Sequence, residues 1–155
     1  MINDEEDLLK SLRDYVKNNL NAQITSINTE KGDFTLEAIT ADDNHYVISG
    51  ELLELPNHAF VNFAIGDGIA TITNKDDIAS IPIFMVEVAF DNPKKANTYF
   101  KSLRYMRALY ETIVKFESSA IEVGEVDITK AIPMLVTNNK RELVVSGVEL
   151  SVPIG

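Results

Sequence analysis

The run Ile83-Phe84-Met85-Val86-Glu87-Val88-Ala89-Phe90 decides the fold, together with the stop Asp91-Asn92-Pro93 and the stretch from Ala96 to Phe116 behind it. Phe84, Val86, Val88 and Phe90 alternate onto one face of an extended chain. Ile83, Met85 and Ala89 fall on the other. A strand apolar on nearly both faces belongs in the middle of a sheet. Pro82 stands at its start, where a missing N–H is tolerated. Beyond the turn, Tyr99, Leu103, Met106, Tyr110 and Ile113 recur at steps of four and three. That spacing predicts a helix over 96–116 with this stripe laid on the sheet.

Upstream, Leu9, Leu12, Val16 and Leu20 predict a helix from Asp4 to Leu20. Its first turn holds Asp4 to Asp7, where the helix dipole favours negative charge. Asn18, Asn19 and Asn21 read as its end. Strands are then expected at Gln23–Asn28 and at Phe34–Ile39. The second would put Phe34, Leu36 and Ala38 on one face, with a hairpin turn at Glu30-Lys31-Gly32-Asp33 between the two. Further strands are expected at His45–Ser49, Ala59–Ile65 and Ile69–Thr73, with a turn at Gly66-Asp67-Gly68. Leu52 to Asn57 is ambiguous, and Lys75-Asp76-Asp77 reads as a polar loop. From Ile121 onward two or three strands are expected, within Glu122–Thr129 and Leu143–Val152, with a turn signal at Asn138-Asn139-Lys140. The sum is an α+β fold: a mostly antiparallel, mixed sheet with an N-terminal helix and one long helix packed on it.

Length and composition agree with one domain over residues 1–155. Hydrophobic residues make up 45% and charged residues 25%, ordinary globular usage. No cysteine is present, which removes disulfides, thiolate nucleophiles and thiolate-held metals. The first residues are acidic where a signal peptide is basic. No apolar run approaches the roughly 18 residues that span a bilayer. The expectation is a soluble chain that stays where it is made, with no membrane partner.

The formal net charge is −10, and it is unevenly placed. Residues 1–90 carry 5 basic and 16 acidic residues, a net of −11, whereas 91–155 carry 9 and 8, a net of +1. A pI near 4.6 argues against specific nucleic-acid binding, which needs a basic face. The one basic cluster is Lys94, Lys95, Lys101, Arg104 and Arg107. Lys101, Arg104 and Arg107 form a row along the long helix. The plain reading is a solvated helix face. The functional reading is a contact for an acidic surface, with the acidic N-terminal part of a second copy as the candidate. Such complementarity within one sequence suggests head-to-tail assembly into a ring.

Catalytic constellations do not form. His45 and His58 have no H-x-H or H-x-x-x-H spacing. Asp42, Asp43 and His45 read as a polar turn rather than a metal site. No G-x-S-x-G elbow is present, and Ser49-Gly50 and Ser146-Gly147 read as strand-end or bulge positions. A metal-dependent nuclease would need an acid on one strand and an acid-x-Lys on the next. Glu87 supplies the first, but Asp127-Ile128-Thr129-Lys130 has the wrong spacing for the second. Glu87 is expected at an edge, at solvent or against a partner. No Walker or G-x-G-x-x-G motif opens a helix. No enzyme activity and no cofactor are expected.

The whole order of elements resembles the tail terminator and tail-completion proteins of long-tailed bacteriophages. The residues that carry the resemblance begin with the acidic N-terminal helix and the strand Ile81-Pro-Ile-Phe-Met-Val-Glu-Val88 running into Asn92-Pro-Lys-Lys95. The helix Tyr99-Phe-Lys-Ser-Leu-Arg-Tyr-Met-Arg-Ala-Leu-Tyr-Glu-Thr-Ile113 follows, and Arg141-Glu-Leu-Val-Val-Ser-Gly-Val-Glu-Leu-Ser-Val152 closes the chain. The similarity covers most of the chain and rests on no short diagnostic motif. It implies a homo-oligomeric ring, a hexamer in the family, that caps the tail tube and forms the surface where the head docks. The implied partners are the tail tube protein and a head-completion protein. The implied location is the virion, at the head-proximal end of the tail, after synthesis in the bacterial host's cytoplasm. The family offers no catalytic residues to carry over. Another head–tail connector or tail-completion component is the alternative, and a metal-dependent nuclease a minor one.

Overall fold

The computed structural model describes residues 5–48, 56–65, 70–73, 78–81, 83–91, 97–119, 127–130, 134–138 and 141–151. The first element, α1, runs Glu5–Lys31, well past the expected stop at Leu20. Leu8, Leu12, Val16, Leu20, Ile24 and Ile27 are all buried along it. Ile24 and Ile27 therefore continue the helical period, and the strand expected at 23–28 is helix. The asparagines that looked like breakers are tethers instead. The Asn21 side chain donates to the Ile39 carbonyl at 2.7 Å and accepts from the Ile39 N–H at 2.9 Å. The Asn28 side chain does the same for Leu36, at 3.1 and 2.7 Å.

Helix spacing explains why this works. Asn21 and Asn28 lie two turns apart, about 10.5 Å. The three residue steps from Leu36 to Ile39 cover about 10 Å in an extended chain. Each amide thus pairs with one backbone position as a neighbouring strand would. Segment 33–40 runs antiparallel to α1 as a strap and joins no sheet. Leu36 and Ile39 are buried at a step of three, while Ala38 is exposed, so the alternation expected for a strand is absent. The turn at 30–33 is the end of the helix, not a hairpin. Gly32 takes φ 68° and its N–H reaches the Asn28 carbonyl at 3.1 Å, a left-handed C-cap that favours glycine.

The strands are β1 (Tyr46–Ile48), β2 (Phe60–Ile65), β3 (Ala70–Thr73), β4 (Ile78–Ile81), β5 (Ile83–Asp91), β6 (Asp127–Lys130), β7 (Met134–Asn138) and β8 (Arg141–Ser151). The main sheet has the order β1-β2-β5-β8-β6, with β7 also on β8. The β1–β2 pair is parallel and the rest are antiparallel. The fold is α+β with a mixed sheet, as the sequence predicts. β6 and β7 lie end to end along one side of β8, opposite 148–151 and 141–145. β4 was not expected. It pairs with β3 in a separate two-stranded ribbon between β2 and β5.

The second helix, α2, runs Thr98–Ser119 between β5 and β6. Phe84, Val86, Val88 and Phe90 are buried on the sheet face that the helices cover. Val61 and Phe63 of β2 and Val144, Val148 and Leu150 of β8 lie with them. The buried side of α2 is Ser102, Tyr105, Met106, Ala108, Leu109, Thr112, Ile113 and Phe116. The expected stripe is thus turned by most of one residue step of about 100°. Tyr99 is exposed, and Leu103 and Tyr110 flank the core. On the buried side of α2, Ser102 is the small residue where the helix meets β8. Ser146 Oγ on β8 donates to the Ser102 carbonyl at 3.0 Å, and the Phe90 and Tyr105 rings meet at 5.3 Å.

The opposite face of the sheet carries a smaller cluster, Val47, Phe60, Ala89 and Leu143, which includes no helix residue. Register puts Ile83, Met85, Glu87 and Glu149 on this outer face too. Among the described residues no helix is long and apolar enough to cross a membrane.

Candidate functional site

The basic row begins where α2 begins. Asn97 takes φ 75° and its carbonyl receives the Lys101 N–H at 2.8 Å, closing the first turn. Lys94 and Lys95 lie outside the described residues.

Arg104 and Arg107 are brought against acids of the same chain. Arg104 holds Asp33 with two bonds, at 2.7 and 2.9 Å, and its guanidinium carbon lies 3.9 Å from the centre of the Phe34 ring. The Phe34 N–H also donates to Asp33, at 2.7 Å. Arg104 above all, and then that N–H, hold the Asp33 carboxyl well below the usual carboxylate range. Arg107 bonds Glu30 near the end of α1 and, one turn along α2, Glu111 at 2.9 Å. Its hydrogen bond lowers the Glu30 carboxyl, and Glu30 and then Glu111 push the Arg107 guanidinium up. Buried Tyr105 adds a bond from its hydroxyl to the Glu37 carbonyl at 2.7 Å. These contacts join α2 to the end of α1 and to the strap.

The charge split seen in the sequence is therefore spent in part inside the chain: Arg104 and Arg107 from the basic row meet Asp33 and Glu30 from the acidic part. Lys101 is different. It is half-buried and has no ion-pair partner among the described residues. Beside it stand Tyr99 and Phe100, 64% and 57% exposed, the large hydrophobic residues most open to solvent in the described chain. Their ring centres lie 6.4 Å apart, edge to face. Sequence reasoning placed Tyr99 in the core and passed over Phe100. The signal was available: adjacent aromatic positions on a helix point about 100° apart, so both cannot join one buried stripe.

The remaining candidates have other employment. His45 Nδ1 contacts Asp42 Oδ1 at 2.7 Å, and the His45 N–H donates to the same oxygen at 2.9 Å, fixing the turn before β1. The His45 contact holds the Asp42 carboxyl down. Asp43 instead accepts from Lys17 Nζ on α1 at 2.8 Å. Among the described residues no group of three or more His, Asp and Glu converges to hold a metal ion. His58 is exposed, 3.6 Å from Glu37.

Glu87 sits in mid-sheet on the outer face, between Asn62 and Gly147, not at an edge. Burial pushes its carboxyl up, opposed by a hydrogen bond with Asn62. Ser146-Gly147 is also in mid-strand, contrary to the strand-end reading. A Cβ on Gly147 would lie 2.2 Å from the Val86 carbonyl oxygen, so only glycine allows the backbones this close. Ser49-Gly50 lies outside the described residues.

No protein-family model matches the chain, and no curated protein matches it.

Proposed function

We propose that this chain is a structural virion protein, the terminator of a long phage tail, acting as a homo-oligomeric ring on the tail tube. The ring stops tube growth and presents the surface on which the head docks. The tail tube protein and a head-completion protein are its partners. The chain carries out no chemistry in this reading and takes no cofactor.

The observation that supports the reading is the order and layering of the elements. An acidic N-terminal helix leads into a mixed sheet, a long helix lies on one face of that sheet, and a long C-terminal strand closes it. The acidic first helix, the strand Ile83–Asp91, the long helix behind it and the closing strand are the parts of that order on which the resemblance rests; strands at 23–28 and 34–39 are not among them. The outer sheet face and the exposed start of α2 supply two different surfaces, as a ring contact requires.

The test is tail assembly with and without the protein, viewed by electron microscopy. Tubes lacking it are expected to vary in length and to fail to join heads. Added protein should restore a discrete ring at one end. Tubes of normal length in its absence, with head joining alone lost, would favour another connector component. DNA cleavage that depends on a divalent metal and vanishes in Glu87→Gln would favour a nuclease.

A further inference from the structure

Two surfaces of this molecule complement each other and cannot meet within one copy. The first is the knob at the start of α2: Tyr99 and Phe100, 64% and 57% exposed, with Lys101, which has no ion-pair partner among the described residues, next in sequence. Phe100 lies almost opposite the buried side of the helix, centred on Tyr105, Leu109 and Thr112, and so points straight out.

The second surface is the outer face of β5 and β8. Glu149 is exposed and has no ion-pair partner among the described residues. Met85 lies directly across from it, and Ile83 and Ala64 lie on the same face, all half-buried. That surface sets one exposed acid beside an apolar centre.

We propose that the Tyr99–Phe100 knob, with Lys101 beside it, docks on the outer sheet face of a second copy, around Met85 and Glu149. This names the subunit contact of the proposed ring and rests on that reading for its closure. Charge selects the occupant. Two chains of net charge −10 repel each other over most of their surfaces. Their approach is favourable where Lys101 of one meets Glu149 of the other. The aromatic rings supply the buried area, as interface anchors of this type do. The exposed charge pair adds orientation more than strength.

The geometry also sets the symmetry. α2 packs on the inner face of the sheet, through Ser102 on Ser146, and the receiving surface is on the outer face. Knob and receiver are different patches on opposite sides of the sheet. The contact is heterologous, so each copy added leaves one knob and one receiver free until a ring closes.

The experiment uses the full chain and measures mass by sedimentation and light scattering across a concentration and salt series. The parent should self-associate with rising concentration, most readily once added salt screens the repulsion between the two net negative charges. Tyr99→Ser with Phe100→Ser should weaken association by roughly tenfold or more without lowering the melting temperature, because both rings are exposed. Glu149→Lys should weaken it too, more so with Met85→Lys. Mixing the knob variant with the receiver variant leaves one intact junction, and the expected product is a dimer that grows no further.

A parent that stays monomeric at every concentration, a knob variant that associates like the parent, or a mixture that forms no dimer would each overturn the proposal. Tail-capping assays on the same variants separate it from the functional reading. Capping by the knob variant would refute the contact and leave the function standing. Self-association as described, with no capping by the parent, would do the reverse.

Discussion

Replacing Asn28 with alanine tests whether the strap is held by helix side chains that imitate a strand. The amide gives Leu36 both a donor and an acceptor, at 3.1 and 2.7 Å. Two such bonds contribute about 1 kcal/mol each, and a partly buried N–H and C=O left without partners raise the cost toward 3–4 kcal/mol. Alanine returns about 0.6 kcal/mol through its better helix propensity. The net expectation is a loss of about 2–3 kcal/mol, or a fall in melting temperature of roughly 4–12 °C for a chain of this size. Thermal unfolding followed by circular dichroism gives the total. Hydrogen exchange at the Leu36 amide gives the local effect, which should exceed that at Ile39, still held by Asn21. Asn28→Asp keeps the acceptor and loses the donor, so it should fall between. An alanine variant with unchanged melting and unchanged Leu36 protection would refute the account, and segment 33–40 would then be held by the burial of Leu36 and Ile39 alone.

Val88 is fully buried between sheet and helices, and Val88→Asp should cost several kcal/mol by burying an unpaired charge, read as loss of the cooperative melt. Gly147→Ala should cost about 2–3 kcal/mol through its clash with the Val86 carbonyl, with β5–β8 amides losing exchange protection first. Glu87 has a carboxyl raised by burial, so the folded state binds its proton more tightly than the unfolded state. Stability should fall as pH rises through its folded pKa, and Glu87→Gln should flatten that part of the denaturation–pH curve. Asp33 is the opposite case: Arg104 lowers its carboxyl, so its contribution is present above the unfolded value near about 4 and disappears as pH falls through the folded one. Asp33→Asn should lessen acid sensitivity in the same titration.

The parts of the fold legible in the sequence are those written as periodicity. Phe84 to Phe90 alternate because one face meets helices, and burial follows that alternation from Ile83 to Val88, with Ala89 buried in the outer-face cluster. The central strand, the long helix and the closing strand follow from such patterns. The misread region, 21–40, is where side chains replace backbone as hydrogen-bond partners. Asparagine scores poorly inside a helix because it competes with the backbone, and here that capacity is turned on a segment outside the helix. No local rule anticipates a partner eight or eighteen residues away. The rotation of α2 is a different failure. Ser102 and Thr112 are buried polar residues, so hydropathy gives them to solvent. Their hydroxyls have no place in a count of apolar positions, yet Ser102 meets Ser146 of β8 and the Thr112 hydroxyl is satisfied by the Ala108 carbonyl of its own helix. The basic row was legible as a row, but that Arg104 and Arg107 would find Asp33 and Glu30 depended on how α1 and α2 pair.

β8 lies in the interior of the sheet, flanked by β5 on one side and by β6 and β7 on the other, although it is the last strand described in the chain. During synthesis, β2 and β5 can pair and α2 can form while that place is still empty. Until β8 emerges from the ribosome, β5 presents a nine-residue open edge lined with Phe84, Val86, Val88 and Phe90. Completion of the sheet is therefore a late, long-range event, and the nascent chain passes through a stage suited to chaperone capture or to mispairing. A chain stopped before Arg141 would remain in that stage, with every upstream element translated and nothing to close the sheet.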